Sequence, residues 1–206
     1  MESCKDNYNY ILTHQEDILK NEKSYLFEFG GCWIKDYKYK EKIDGISCLV
    51  GGKIITEGHR LRHHVFHNRG KFSNVQFFNS GNFPGPLSGE YPVILDSKAP
   101  LFDYKFSIII ENESRKNWFS EKLIDCLYAK TIPIYWGCKN IDRWFNVEGI
   151  LISNSFEDIE NYCNNLPSYN ELLPIIEENY SKCLEFVDIP TRLKNKIEFI
   201  LNNDKV

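Results

Sequence analysis

Between residues 105 and 137 the sequence reads KFSIIIENESRKNWFSEKLIDCLYAKTIPIYWG, and its polar residues fall where anion chemistry could be done. An apolar strand ends at Glu111-Asn112, and a polar loop follows. Ser120 then takes the N-cap position of a helix whose first turn holds Glu121 and Lys122. Free backbone N–H groups and the positive end of the helix dipole at such a point favour an anion. Lys122 adds a mobile charge, and a charge-assisted hydrogen bond contributes about 1.5–3 kcal/mol. A lysine in the first turn opposes the dipole, so it needs a partner, either Glu121 or a bound phosphate. The plainer reading is a capped amphipathic helix with a surface lysine.

A second concentration of charge lies upstream. Lys53, Arg60, Arg62, Arg69 and Lys71 face Glu57 alone within residues 53–71, in a chain whose formal net charge is −4. One basic helix in an acidic protein suggests a confined anion site, against the alternative of a solvated basic face. The same helix carries His59, His63, His64 and His67. Three of these fall at i, i+4 and i+8 on one face. Imidazoles so spaced can share a zinc ion, but no fourth ligand is signalled nearby. A solvated or phosphate-facing cluster is the expectation, with no metal. Asn112-Glu113-Ser114 is a glycosylation sequon that falls inside the candidate anion loop, and it is discounted. Gly30-Gly31 and Gly51-Gly52 are turn material and do not form a phosphate-cradling GxGxxG.

The string FSIIIENESRKNWFSEKLIDCLYAKTIPIYWGC resembles the donor-binding signature of the α1,3-fucosyltransferases, glycosyltransferase family 10. Glu111-Asn112, Trp118, Glu121-Lys122 and Ile132-Pro133-Ile134-Tyr135-Trp136-Gly137 match it in order, and Ser120 replaces the usual Thr while keeping the capping hydroxyl. A weaker match runs from Asn140-Ile141 through Phe145-Asn146 to Gly149-Ile150. The resemblance covers about 100–120 residues, from roughly 43 to 160.

The resemblance implies a GT-B-type enzyme whose C-terminal Rossmann-like half binds GDP-fucose. It implies transfer of L-fucose to a glycan hydroxyl with inversion, without metal or other cofactor. Arg62, with Arg60 as the alternative, and Lys122 would hold the diphosphate. Glu121 would accept hydrogen bonds from ribose or sugar hydroxyls, Asn112 and Trp118 would line the donor pocket, and Ser120 would cap the helix at the phosphate site. The family's acceptor-side domain supplies the general base. Here about 40 residues precede the donor module, so no catalytic base is identified; Glu28 and Glu57 are the nearby carboxylates. The alternative is a GDP-sugar-binding domain inactive alone, or one that needs a partner subunit to supply the acceptor domain.

These residues need a scaffold, and the pattern supplies one. Strands are expected at 8–13, 24–29, 46–50, 75–78, 105–110, 132–136 and 149–153. Helices are expected at 15–20, 56–68, 120–129, 140–145, 156–165, 168–187 and 191–203, and a Gly/Pro-rich loop at 79–100 holds Pro84, Pro86, Pro92 and Pro100. Short apolar strands alternating with helices imply an α/β fold, a Rossmann-like parallel sheet with helices on both faces. Residues 1–42 read as a short remnant of an acceptor-side domain and 43–206 as the donor-binding domain with its C-terminal helices.

At 206 residues the chain is long enough for one well-buried core. With 42% hydrophobic, 15% aromatic and 26% charged residues, composition excludes disordered, collagenous and coiled-coil classes. The acidic balance argues against a nucleic-acid binder. The seven cysteines, Cys4 among them, contain no CxxC pair, so a reducing compartment is expected rather than a disulfide framework. MESCKDNYNY lacks an apolar signal core, and no apolar run suits a membrane span, so a cytoplasmic protein is expected.

Overall fold

A computed structural model describes residues 8–81, 90–94 and 96–203. Cys4 and most of the MESCKDNYNY terminus lie outside the described residues, as do Pro84 and Pro86 of the Gly/Pro-rich loop. The chain begins with two short strands, β1 (Ile11–Thr13) and β2 (Ser24–Leu26), which pair in parallel around a one-turn helix α1 (Glu16–Leu19). Then come β3 (Ile43–Val50), α2 (Glu57–His67), β4 (Val75–Asn79), β5 (Tyr104–Ile110), α3 (Glu121–Tyr128), β6 (Ile132–Trp136) and β7 (Leu151–Ile152). Helices α4 (Phe156–Asn164), α5 (Leu173–Cys183) and α6 (Ile189–Asn203) follow. Strands β3 to β7 form one parallel sheet in the order β4-β3-β5-β6-β7.

The two-residue period of a strand sends alternate side chains to opposite faces, and here both faces are covered. On β5, Ile108 and Ile110 join a cluster containing Val65 and Phe66 of α2 and Ile159 of α4. Ile109 between them turns to the opposite cluster, with Leu123, Ile124 and Leu127 of α3 and Phe145. Ile132 and Ile134 are fully buried on β6, a gain of about 1.5–3 kcal/mol each over exposure. The α/β class and a parallel sheet between helical layers are therefore as expected.

Several boundaries differ. Residues 140–145 hold a short 3₁₀ turn, Ile141–Arg143, rather than an α-helix. The strand expected at 149–153 is reduced to Leu151–Ile152. The helix expected over 168–187 begins only at Leu173, because Pro174 sits in the first turn, where its missing N–H costs nothing. It gives way after Cys183 to a 3₁₀ turn over Leu184–Phe186.

Topology already fixes where a ligand belongs. Strand β3 lies between β4 and β5, so the chain leaves it first to one side and later crosses to the other. At such a switch point the two following connections diverge and open a crevice at the carboxyl ends of the strands. Here those ends are Gly51 after β3 and Glu111-Asn112 after β5.

Candidate functional site

Helix α2 reaches the crevice at a residue with no side chain. The Gly58 N–H donates to the Asn112 carbonyl at 2.9 Å, and a Cβ at Gly58 would fall 1.7 Å from the Glu111 carbonyl oxygen. The first turn of α2 thus rests directly on the end of β5. One turn later Arg62 donates from Nη2 to Asn112 Oδ1 at 2.6 Å and from Nε to the Gly58 carbonyl at 3.2 Å. Burial draws the Arg62 guanidinium below its ordinary pKa, against the pull of Glu111. Arg60, the alternative, is exposed and donates instead to the Ile55 carbonyl. The Asn112 amide oxygen is thus committed to Arg62.

The other wall is the start of α3. Glu111 is fully buried, and both its carboxylate oxygens accept from Ser120: the backbone N–H at 2.8 Å and the hydroxyl at 2.6 Å. Burial pushes the Glu111 carboxyl up, opposed by Lys122 and the Ser120 bonds. Ser120 is the N-cap, its side chain accepting the Lys122 N–H. Lys122 Nζ donates to Ser120 Oγ at 3.1 Å and Glu121 Oε1 at 3.3 Å, and lies 3.7 Å from Glu111 Oε2. The partner that the dipole argument required is therefore Glu121, reinforced by Glu111. Burial works to raise the Glu121 carboxyl, but Lys122 and Lys98 prevail and hold it down to about 2.

Lys98 was not found by sequence reasoning. It lies near the end of the Gly/Pro-rich loop, outside the matched motifs, and its Nζ donates to the same Glu121 oxygen at 2.9 Å. Arg62, Lys98 and Lys122 line one cleft of about 50 Å³ over Leu49, Leu101 and Phe102. Three cations face two carboxylates, and two ammonium groups share a single oxygen. Each ammonium carries three donors, so the cluster holds donor capacity suited to a multiply charged anion such as a diphosphate.

The remaining candidates lie elsewhere. Trp118 packs against the N-terminal segment, its ring 4.6 Å from His14 and 6.3 Å from Phe29, and it does not line that cleft. The histidines divide: His64 and His67 are exposed, as a solvated cluster would be, while the other two are not. His59 and His63 are each only 8% exposed. The His59 ring closes a capping box with Thr56, His63 Nε2 bonds the Gly51 carbonyl at 2.8 Å, and His64 packs edge-on to Phe156. Glu28 accepts from Trp144 Nε1 and Arg192 Nη2, both at 3.0 Å, so it is engaged in holding the N-terminal segment to α6. Glu57 lies in the first turn of α2 and is exposed. Among the described residues, no helix is long and apolar enough to cross a membrane.

No family model matches the sequence. The chain is 31% identical over 83 residues to the alpha-(1,3)-fucosyltransferase FucT of Helicobacter pylori, a match that takes in 38% of this chain and 17% of that protein. Two solved structures of α1,3-fucosyltransferase, the second with GDP, align at a TM-score of 0.58 and 17% identity. Each alignment covers 84% of this chain, and they cover 59% and 61% of those chains. The chain thus spans about three fifths of the solved structures it matches, and its matched segment is a small fraction of the longer relative.

Proposed function

We propose that this chain, a relative of the α1,3-fucosyltransferases in sequence and in fold, is the donor-binding part of a glycosyltransferase that uses GDP-fucose. The observation that carries the reading is the convergence of Arg62, Lys98 and Lys122 on one cleft, at the switch point where such sheets bind nucleotides. The 83-residue match to FucT supports the choice of donor.

In this reading the diphosphate lies across the cleft and takes hydrogen bonds from Lys122 and Lys98, which now share one Glu121 oxygen. Arg62 supplies the opposite wall. Transfer of fucose with inversion leaves a full negative charge on the departing GDP, and side-chain cations placed there stabilise it as it develops. The same cations offset the charge that a divalent ion would otherwise meet, so the reaction runs without metal. Glu121, held ionised, accepts from ribose or fucose hydroxyls. Ser120 and Glu111 keep the N-terminus of α3 in place, and Asn112 orients Arg62.

The acceptor hydroxyl needs a base. Glu28 is tied to Arg192 and Trp144, and Glu57 is exposed. This favours a second reading, in which the base and much of the acceptor site come from another segment or subunit and the chain alone binds donor without transferring sugar.

Calorimetric titration with GDP, UDP and CDP without added metal tests the first reading. GDP should bind in preference, and Lys122→Ala should weaken it about tenfold or more, within the range for deleting one such cation. Unchanged affinity in Lys122→Ala removes that residue from the site, and no binding by any nucleotide overturns the donor-binding reading. GDP binding without GDP-fucose turnover would favour the second reading over the first.

A further inference from the structure

Trp33 is 67% exposed, while Cys32 and Ile34 on either side of it are buried in the cluster that packs on α3. Its backbone N–H donates at 2.7 Å to Asp125, a fully buried residue one turn beyond Glu121 on the same helix. A fixed piece of backbone thus carries the indole, although its ring stands in solvent. One charge lies over that ring. Lys98 Nζ is 4.1 Å from its centroid, well inside the distance of about 6 Å at which an aromatic face attracts an ammonium, and Trp offers the strongest such face.

Lys98 is fixed from its other end as well. It precedes a 3₁₀ turn, Ala99–Asp103, whose Leu101 and Phe102 are buried in the same cluster, and its carbonyl accepts the Leu101 N–H at 3.0 Å. Its side chain is 20% exposed, and its ammonium donates to Glu121 Oε1, the oxygen that Lys122 also bonds. Lys98 lines the anion cleft and Trp33 does not, so the ring reaches an anion there through Lys98. The two holds on Lys98 differ in kind. Glu121 takes one of three ammonium protons and offsets the charge, so a phosphate oxygen must compete with it. An indole face attracts the cation through its quadrupole, needs no single donor and leaves the full charge in place. A carboxylate at that position would hold the lysine but neutralise it. The ring keeps the ammonium over one spot while its hydrogen-bond partner changes.

We propose that Trp33 is a positioning residue of the anion cleft, holding Lys98 in place as its ammonium exchanges Glu121 for an incoming phosphate oxygen. The exchange removes one of the two ammonium groups that share Glu121 Oε1, and that oxygen is then open to a ligand hydroxyl. Ordering Lys98 before the anion arrives also spares the entropy of fixing a long side chain at that moment. This role rests on the nucleotide reading above and adds to it the group that holds Lys98 ready.

The test is calorimetric titration of the full chain with GDP in five proteins: the parent, Trp33→Leu, Trp33→Tyr, Lys98→Met, and Trp33→Leu combined with Lys98→Met. Trp33→Leu should weaken GDP about 2–5-fold, the range for an exposed cation–π contact, and Trp33→Tyr should keep most of the parent's affinity. Lys98→Met should cost more, about tenfold or more. Once Lys98 is gone, Trp33→Leu should have no further effect, because two residues that act through one contact are not additive. The ring is exposed, so Tm should stay within about 4 °C of the parent in both Trp33 variants. GDP affinity unchanged in Trp33→Leu overturns this role and leaves the donor reading standing. A loss in Trp33→Leu that persists without Lys98 means that the ring acts by another path, and it overturns the role too. So does Trp33→Tyr as weak as Trp33→Leu, since an aromatic face would then not be what holds Lys98. A parent protein that binds no GDP overturns the donor reading itself, and this role falls with it.

Discussion

Gly58 is the residue on which the two walls of the crevice depend. An added Cβ would meet the Glu111 carbonyl oxygen at 1.7 Å and the Asn112 carbonyl oxygen at 2.9 Å, both backbone atoms that cannot swing aside. Gly58→Ala must therefore lift α2 from β5 and carry Arg62 away from Asn112. Overpacking of this kind costs about 1–3 kcal/mol or more, which for about 200 residues lowers Tm by roughly 3–10 °C. GDP affinity should fall with it. Gly70→Ala, with nothing within 4 Å of the new methyl, is the matched control and should leave both unchanged. A Gly58→Ala protein with the parent's Tm would mean that α2 does not rest on β5 in this way. Asp125 makes a second prediction at this scale. Burial raises its carboxyl from 3.8 to about 6, against the opposing Trp33 N–H and Lys98. A carboxyl raised on folding stabilises the protein fully below its unfolded pKa, and that stability is lost as pH rises through about 6. The shift corresponds to at most about 3 kcal/mol. Asp125→Asn keeps an acceptor for Trp33 and removes the titration. Its Tm relative to the parent should therefore climb between pH 4 and 7, and a difference that stays constant across that window would refute the assignment.

At the level of elements, the start of α3 does two tasks with one hydroxyl. Ser120 Oγ caps the helix by accepting the Lys122 N–H and donates to Glu111 Oε2. Ser120→Ala removes the cap and leaves one oxygen of a fully buried carboxylate without its hydroxyl partner. The cost should be about 1–3 kcal/mol, and Ser120→Thr should restore most of it; thermal melts of the two variants decide, and equal melts would show that the hydroxyl carries neither task. This element was legible in the sequence because its signals are local: a capping residue, an acidic first turn, then apolar spacing. The strands of the sheet were legible for the same reason, since runs such as FSIII and IPIYW leave little choice. What escaped was either non-local or a matter of chain ends. Lys98 reaches Glu121 across 23 positions, and no pattern around it marks that contact. Trp118 matches its motif position, but its packing partners His14 and Phe29 lie about ninety residues or more upstream. The burial of His59 and His63 escaped because spacing gives a helix face but not what covers it. Helix α5 starts late because Pro174 tolerates only its first turn.

Across the whole molecule, the N-terminal segment is bound into the core of the sheet domain. Cys32, Ile34 and Tyr37 belong to the same hydrophobic cluster as α3, and the Tyr37 hydroxyl donates to the Phe102 carbonyl at 2.9 Å. At the other end, Arg192 of α6 donates to Glu28 Oε2 at 3.0 Å and to the carbonyls of Glu28 and Gly30. Burial draws its guanidinium below the ordinary value, against Glu28. With side chains 18% and 17% exposed, this pair is neither a freely solvated bridge nor a dry one. Its coupling should lie between the values for surface and buried pairs, at about 1–2 kcal/mol. Glu28→Gln and Arg192→Met should each lower Tm, and the double variant should lose less than the two singles together, as residues in direct contact do. The form of the transition carries the further information. If the segment, α6 and the sheet are one cooperative body, every variant melts in a single step displaced to lower temperature. An early second step in Arg192→Met, matched by protease cleavage within the first forty residues, would show instead that the segment folds onto the sheet as a separable unit. That would make Trp33, carried on the same segment with its ring against Lys98, movable relative to the anion cleft.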